Sequence, residues 1–93
     1  MKKSKYFILK KDGQKEEIEG TVFNNVWGID KRETGYYVLT YIPNGAFVDS
    51  SKKMTTLKML IQEPEFFDFD GTPTTALKLF KAIKRYRDKN GWS

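Results

Sequence analysis

Hydrophobic and polar positions divide this chain of 93 residues into a strand-rich first half and a helical second half. Residues 5–10 (KYFILK) read as a strand, and Asp12-Gly13 within KDGQ is the signal of a tight hairpin. The return run from Lys15 has Ile18, Val22 and Phe23 as its apolar points, with a bend or bulge expected at Gly20. Asn24-Asn25 reads as a turn, residues 26–31 (VWGIDK) as a short strand, and Glu33-Thr34-Gly35 as a further hairpin turn. Residues 36–42 (YYVLTYI) are dense in β-branched and aromatic residues. Alternation places Tyr37, Leu39 and Tyr41 on one face and Tyr36, Val38, Thr40 and Ile42 on the other, so both faces are partly apolar and the strand is expected to be central. Pro43-Asn44-Gly45 is a turn, after which residues 46–49 return as an edge strand.

The period then changes. From Ser50 or Ser51 through Lys58 toward Gln62, Met54, Leu57, Leu60 and Ile61 recur at helical spacing, and Pro64 is the expected stop. Thr72 followed by Pro73 predicts a hydroxyl N-cap and a proline at the first helical position, opening a helix to about Lys89 that Gly91 terminates. Its apolar stripe is Ala76, Leu79, Phe80, Ile83 and Tyr86, with Lys78, Lys81, Arg85 and Lys89 opposite. The expected fold is α+β in a single domain: an antiparallel meander of four to five strands followed by two helices, the C-terminal helix packed on one face of the sheet. The first four residues and Trp92-Ser93 are the expected loose ends.

Composition narrows the chemistry. At 39% hydrophobic and 15% aromatic the chain supports one compact core. It has no cysteine and no histidine, which removes thiolate chemistry, disulfides, the commonest zinc ligands and the commonest general base. Tyr6 to Leu9 is too short an apolar run for a signal peptide, and no stretch approaches the length of a membrane span, so a cytoplasmic protein is expected.

Charge is unevenly placed. Residues 1–15 hold six lysines against Asp12, residues 78–89 hold six basic residues against Asp88, and residues 63–70 hold four acids and no base. Such polarity concerns partners rather than fold. On the C-terminal helix, Lys78, Lys81, Arg85 and Lys89 form a stripe suited to phosphates, with Lys84 and Arg87 at its flanks; the N-terminal lysines are candidates to extend it. Lys31 and Arg32 stand near the sheet aromatics Phe23, Trp27, Tyr36, Tyr37, Tyr41 and Phe47, a combination that can stack bases. Trp27 and Tyr37 are expected in the core. The strands between Val26 and Val48 followed by a helix resemble, in element order only, three-stranded-sheet DNA-binding domains.

The stretch FFDFDGT at residues 66–72 resembles the D-x-D-G-T nucleophile motif of the haloacid dehalogenase superfamily. The resemblance implies Asp68 as nucleophile and Asp70 as acid and base. That chemistry also needs a lysine, a hydroxyl and further carboxylates on later strands of a parallel sheet. Downstream of Asp70 there are only 23 residues, nearly all one helix, with Asp88 their single carboxylate. Upstream there is no βαβ pattern, so the motif reads as an acidic, aromatic hinge that turns at Asp70-Gly71 and delivers the chain into its capped final helix.

A non-enzymatic binding protein without cofactor, metal or evident small-molecule substrate is therefore expected. The leading reading is a nucleic-acid-binding accessory or regulatory protein using Lys78, Lys81, Lys84, Arg85 and Lys89 with Lys31, Arg32 and the N-terminal lysines. The alternative is a protein-binding inhibitor or adaptor, such as a phage or mobile-element protein that blocks a host protein through Glu65, Phe66, Asp68 and Asp70 or through the basic helix.

Overall fold

The computed structural model describes residues 2–91, and it is an α+β chain. Five strands, β1 (Lys2–Leu9), β2 (Lys15–Phe23), β3 (Trp27–Lys31), β4 (Tyr37–Tyr41) and β5 (Ala46–Ser51), pair antiparallel in sequence order. Three helices follow: α1 (Met54–Leu60), α2 (Pro64–Phe67) and α3 (Pro73–Asn90). The backbone groups into two compact units with the boundary between Leu57 and Lys58.

Each hairpin has its local cause. Asp12 accepts a hydrogen bond from the Gln14 N–H at 3.0 Å while Gly13 takes φ 83°, closing β1 onto β2. Asn24 and Asn25 both adopt positive φ, 53° and 63°, the two-residue geometry whose twist suits a β-hairpin. The Asn44 side chain accepts from the Ala46 N–H, and Gly45 at φ 71° completes the turn into β5.

β2 serves two partners. Residues Lys15 to Val22 pair with β1, and Thr21 to Phe23 pair with β3. The overlap turns the sheet around Gly20, and the register shift that leaves Val48 unmatched between Thr40↔Phe47 and Leu39↔Asp49 bends β5 as well. The outer edges consequently meet at one end, where the Leu9 N–H donates to the Gly45 carbonyl at 2.8 Å. The sheet is a curled, partly closed barrel.

One ring packs into its concave side. Tyr6 is buried, and the two strand glycines exist to receive it: a Cβ on Gly28 would overlap the ring, and one on Gly20 would lie 2.5 Å from the Tyr6 hydroxyl and 2.7 Å from the Ile29 carbonyl. The Tyr6 hydroxyl donates to Asp30 Oδ1 at 3.4 Å, and Asp30 in turn holds the Arg32 guanidinium through its Nε and Nη2 groups. Burial first, and then the Asp30 carboxylate, push the Tyr6 phenol well above its ordinary pKa, with Arg32 opposing. On the other side of the pleat Trp27, Ile29, Leu39 and Tyr41 are buried, with the Trp27 and Tyr41 rings 5.2 Å apart.

Differences from the sequence expectation are local. Residues 2–4 are not loose, since β1 begins at Lys2; Met1, Trp92 and Ser93 lie outside the described residues. Ser50 and Ser51 belong to β5 rather than starting a helix, and the Ser51 hydroxyl accepts from the Lys53 N–H ahead of α1. Pro64 does not only stop a helix. It occupies the first turn of α2, a four-residue helix where a linker was expected. β4 is an internal strand, paired with β3 and β5, and Val38 to Tyr41 are buried on both faces as its composition requires.

Gly28→Ala is expected to overpack the sheet and cost about 1–3 kcal/mol, seen as a Tm lowered by roughly 4–8 °C per kcal/mol. Tyr6→Leu is destabilising alone, but adding it to Gly28→Ala should recover part of the loss. A double-mutant cycle by thermal or urea denaturation checks this; strict additivity would show that the ring does not set the glycine.

Candidate nucleic-acid interface

α3 is held at both ends by side chains and turns that the sequence supplies. The Thr72 hydroxyl accepts from the Thr75 N–H at 3.4 Å, and Pro73 fills the first helical position. Asp70 tightens this start, its Oδ1 receiving the Thr72 N–H at 3.0 Å, the Thr72 hydroxyl at 2.7 Å and the Thr75 hydroxyl at 2.6 Å. The Thr75 hydroxyl, followed by the Thr72 hydroxyl and N–H, lowers the Asp70 pKa to about 2. At the other end Gly91 turns left-handed at φ 67° and its N–H returns to the Arg87 and Asp88 carbonyls.

The face that α3 buries is Leu79, Ala82 and Ile83, with Ala76 and Tyr86 half-buried beside them. Phe80, expected in that stripe, is 48% exposed, and Leu77 is 63% exposed. At about 100° per residue Phe80 falls at the margin of the apolar arc rather than at its centre. Lys78, Lys81, Lys84, Arg85 and Lys89 are all exposed, and Asp88 is the one carboxylate on the helix. Lys78, Lys81, Lys84 and Lys89 have no ion-pair partner among the described residues. From Lys78 to Lys89 the stripe runs about 16 Å, the length of roughly five phosphates along one strand of a duplex.

The acidic segment lies against one flank of this helix. Glu65 accepts from Arg85 Nη2 at 3.3 Å, an exposed pair of small energetic weight. A hydrogen bond to Glu63, reinforced by burial and by that carboxylate's charge, raises the Tyr86 pKa. Between α2 and α3 is a cleft of about 350 Å³, with Glu63 and Glu65 on one wall and Arg85, Tyr86 and Lys89 on the other. Phe66 is buried and anchors α2, whereas Phe67 is 65% exposed. Of the proposed docking segment, then, Phe66 is core, Asp70 is occupied in the helix cap, Glu65 faces Arg85, and Asp68 is exposed.

The remaining candidates separate. Arg32 is tied to Asp30 on the concave side of the sheet, while the Lys31 ammonium sits 5.8 Å over the Tyr37 ring. Trp27 and Tyr41 are buried; Tyr36 is 40% exposed, with the Lys52 ammonium 5.7 Å from its ring. Among the N-terminal lysines, Lys5 stands opposite Glu19 in the β1–β2 register, and Glu17 lies on the same side of the pleat as Lys3 and Lys5. Sequence segmentation hid this, because those glutamates begin one residue beyond the lysine-rich stretch. A count over the whole hairpin would have found them. Among the described residues no group of His, Cys, Asp and Glu side chains is arranged to hold a metal ion, and no helix is long and apolar enough to cross a membrane.

The cap has a pH signature with a defined sign. Because folding lowers the Asp70 pKa from 3.8 to about 2, its stabilisation is full above the unfolded value and is lost as pH falls through that interval. Asp70→Asn should flatten the dependence of Tm on pH between about 4 and 2. Thr72→Ala should cost about 1 kcal/mol at neutral pH, or roughly 4–8 °C in Tm. Thermal melts by circular dichroism decide both, and an unchanged acid limb in Asp70→Asn would remove Asp70 from the cap.

No protein-family model, no curated protein and no solved structure matches this chain. Its function is therefore argued from the arrangement of its own residues.

Proposed function

We propose that the protein binds nucleic acid through the exposed face of α3, by tracking phosphates with Lys78, Lys81, Arg85 and Lys89 and with Lys84 at the flank. The observation that carries this reading is the contrast between the two lysine-rich segments. The strand returning beside Lys3 and Lys5 carries Glu16, Glu17 and Glu19, with Glu19 directly opposite Lys5, whereas α3 carries five exposed cations against the single carboxylate Asp88, and its lysines have no ion-pair partner among the described residues. A row of solvated ammonium groups about 16 Å long gains chiefly by releasing the counterions of a polyanion, a term that does not depend on sequence. Arg85 can exchange the Glu65 carboxylate for a phosphate at little cost, since the pair is exposed.

Fluorescence anisotropy with labelled single- and double-stranded oligonucleotides is the test. Four phosphate contacts give a slope of log K against log salt near −3 to −4, so affinity should fall roughly 100-fold between 50 and 200 mM salt. Lys81→Glu with Lys84→Glu should weaken binding at least tenfold at 50 mM, and each single Lys→Ala change should reduce the slope by about 1. Absence of binding at 50 mM, or a flat salt response, would reject the reading.

A second reading is favoured by Leu77 and Phe80, which lie exposed at i, i+3 beside Lys81 and Lys84. An acidic protein surface with an apolar groove would take this face, which suits the inhibitor or adaptor role. Leu77→Ala with Phe80→Ala would then abolish the complex while leaving the electrostatic salt slope on DNA unchanged.

A further inference from the structure

The curl of the sheet leaves a recess of about 360 Å³ on its concave side, within the first unit and made without any residue of α3. Its floor is largely apolar: Ile8 and Val38 line it beside Thr40, and all three are buried. Phe47 stands opposite Thr40 in the β4–β5 pairing, shares its side of the sheet, and is nevertheless 60% exposed. Lys10 and Lys11, from the β1–β2 turn, and Arg32, from the end of β3, supply three cations to the same lining. Glu16 is the carboxylate among the lining residues, while Asp30 is engaged with Arg32 and Tyr6.

We infer that this recess binds a single unpaired nucleotide unit, with the base stacked on Phe47 over the apolar floor and the phosphate drawn to Lys10, Lys11 and Arg32. Three observations converge on that chemistry. A large ring that is more than half exposed beside a buried floor is a platform for a flat partner, and every nucleobase offers a π-face for it. The cations stand at the same recess as the ring, so one ligand must be both planar and anionic to use both. The Asp30 carboxylate takes the Nε and one terminal nitrogen of Arg32, which fixes the guanidinium and leaves its other N–H groups to donate. The volume is near the lower end of the ~300–1,000 Å³ of small-molecule sites, which suits one nucleotide rather than a dinucleotide. A second copy of the chain is disfavoured, because its own recess would bring the same three cations.

This site and the α3 interface stand or fall separately, so the experiment is run on the full chain carrying Lys81→Glu and Lys84→Glu. Amide chemical shifts are followed by NMR during titration with dAMP and, separately, with a five-residue oligodeoxyadenylate. Shifts are expected at Leu9, Lys10, Val38, Thr40 and Phe47. Phe47→Ala should weaken binding fivefold or more, from a base-stacking contribution of about 1 kcal/mol at least. Phe47→Trp should retain it, and Lys10→Ala with Lys11→Ala should reduce its salt dependence. Since Phe47 is exposed, the variants are expected to fold, which unchanged shifts of the Trp27 and Leu39 amides would verify. Shifts with both ligands identify a site for free nucleotides, and shifts with the pentamer alone identify a site on single strands; either supports the assignment. No shift at the recess with either ligand, undiminished binding by Phe47→Ala, or the same shifts from a poly-glutamate peptide insensitive to Phe47→Ala would overturn it.

Discussion

A tyrosine can lie across neighbouring strands only where those strands lack side chains, and Gly20 and Gly28 provide that space for Tyr6. The packing has consequences well beyond one ring. It draws β1 over the concave side, so that Leu9 reaches the Gly45 carbonyl and the sheet edges meet. It also puts the phenol hydroxyl beside Asp30, where the carboxylate is buried and would be costly without partners. Tyr6 and Arg32 are those partners. The geometry of the recess, and the fixed position of its arginine, both descend from the absence of two Cβ atoms.

Antiparallel pairing also redistributes charge. Along the chain, the N-terminal lysines and the C-terminal helix have equal excess charge. In the fold they differ, because a hairpin places each residue opposite another from the returning strand, and here the return carries Glu16, Glu17 and Glu19. A helix offers no such automatic counterion. Its neighbours on the surface are its own residues three and four away, and on α3 Asp88, spaced for Lys84 and Arg85, is the one carboxylate among them. Lys78, Lys81 and Lys84 therefore stand without an ion-pair partner among the described residues, and Glu65 of α2 meets Arg85.

What the sequence made legible were the elements whose causes are local. Asp12-Gly13, Asn24-Asn25, Asn44-Gly45, Thr72-Pro73 and Gly91 each do what their side chains or missing side chains require, so five strands and the long helix could be read directly. The exceptions were equally physical. Ser50 and Ser51 look like a helix start, but a partner strand was available to them and the hydroxyl of Ser51 caps from inside β5. The one-turn helix at Pro64 has too few residues to produce a periodic signal.

The aromatic residues mark where legibility ends, and the reason bears on function. Trp27, Tyr36, Tyr41 and Phe47 have similar local surroundings in the sequence, yet Trp27 and Tyr41 are buried while Tyr36 and Phe47 are exposed. Which of them is core depends on the register shift at Val48 and on how far the sheet curls, neither of which is encoded within a few residues. The same is true of Arg32. Its sequence neighbours do not announce that Asp30 and Tyr6 will hold it on the concave side, or that Lys10 and Lys11 will line the same recess. An exposed ring and a fixed cation come together here only through long-range strand pairing. That is why a stretch-by-stretch reading found the helix of lysines and passed over the recess.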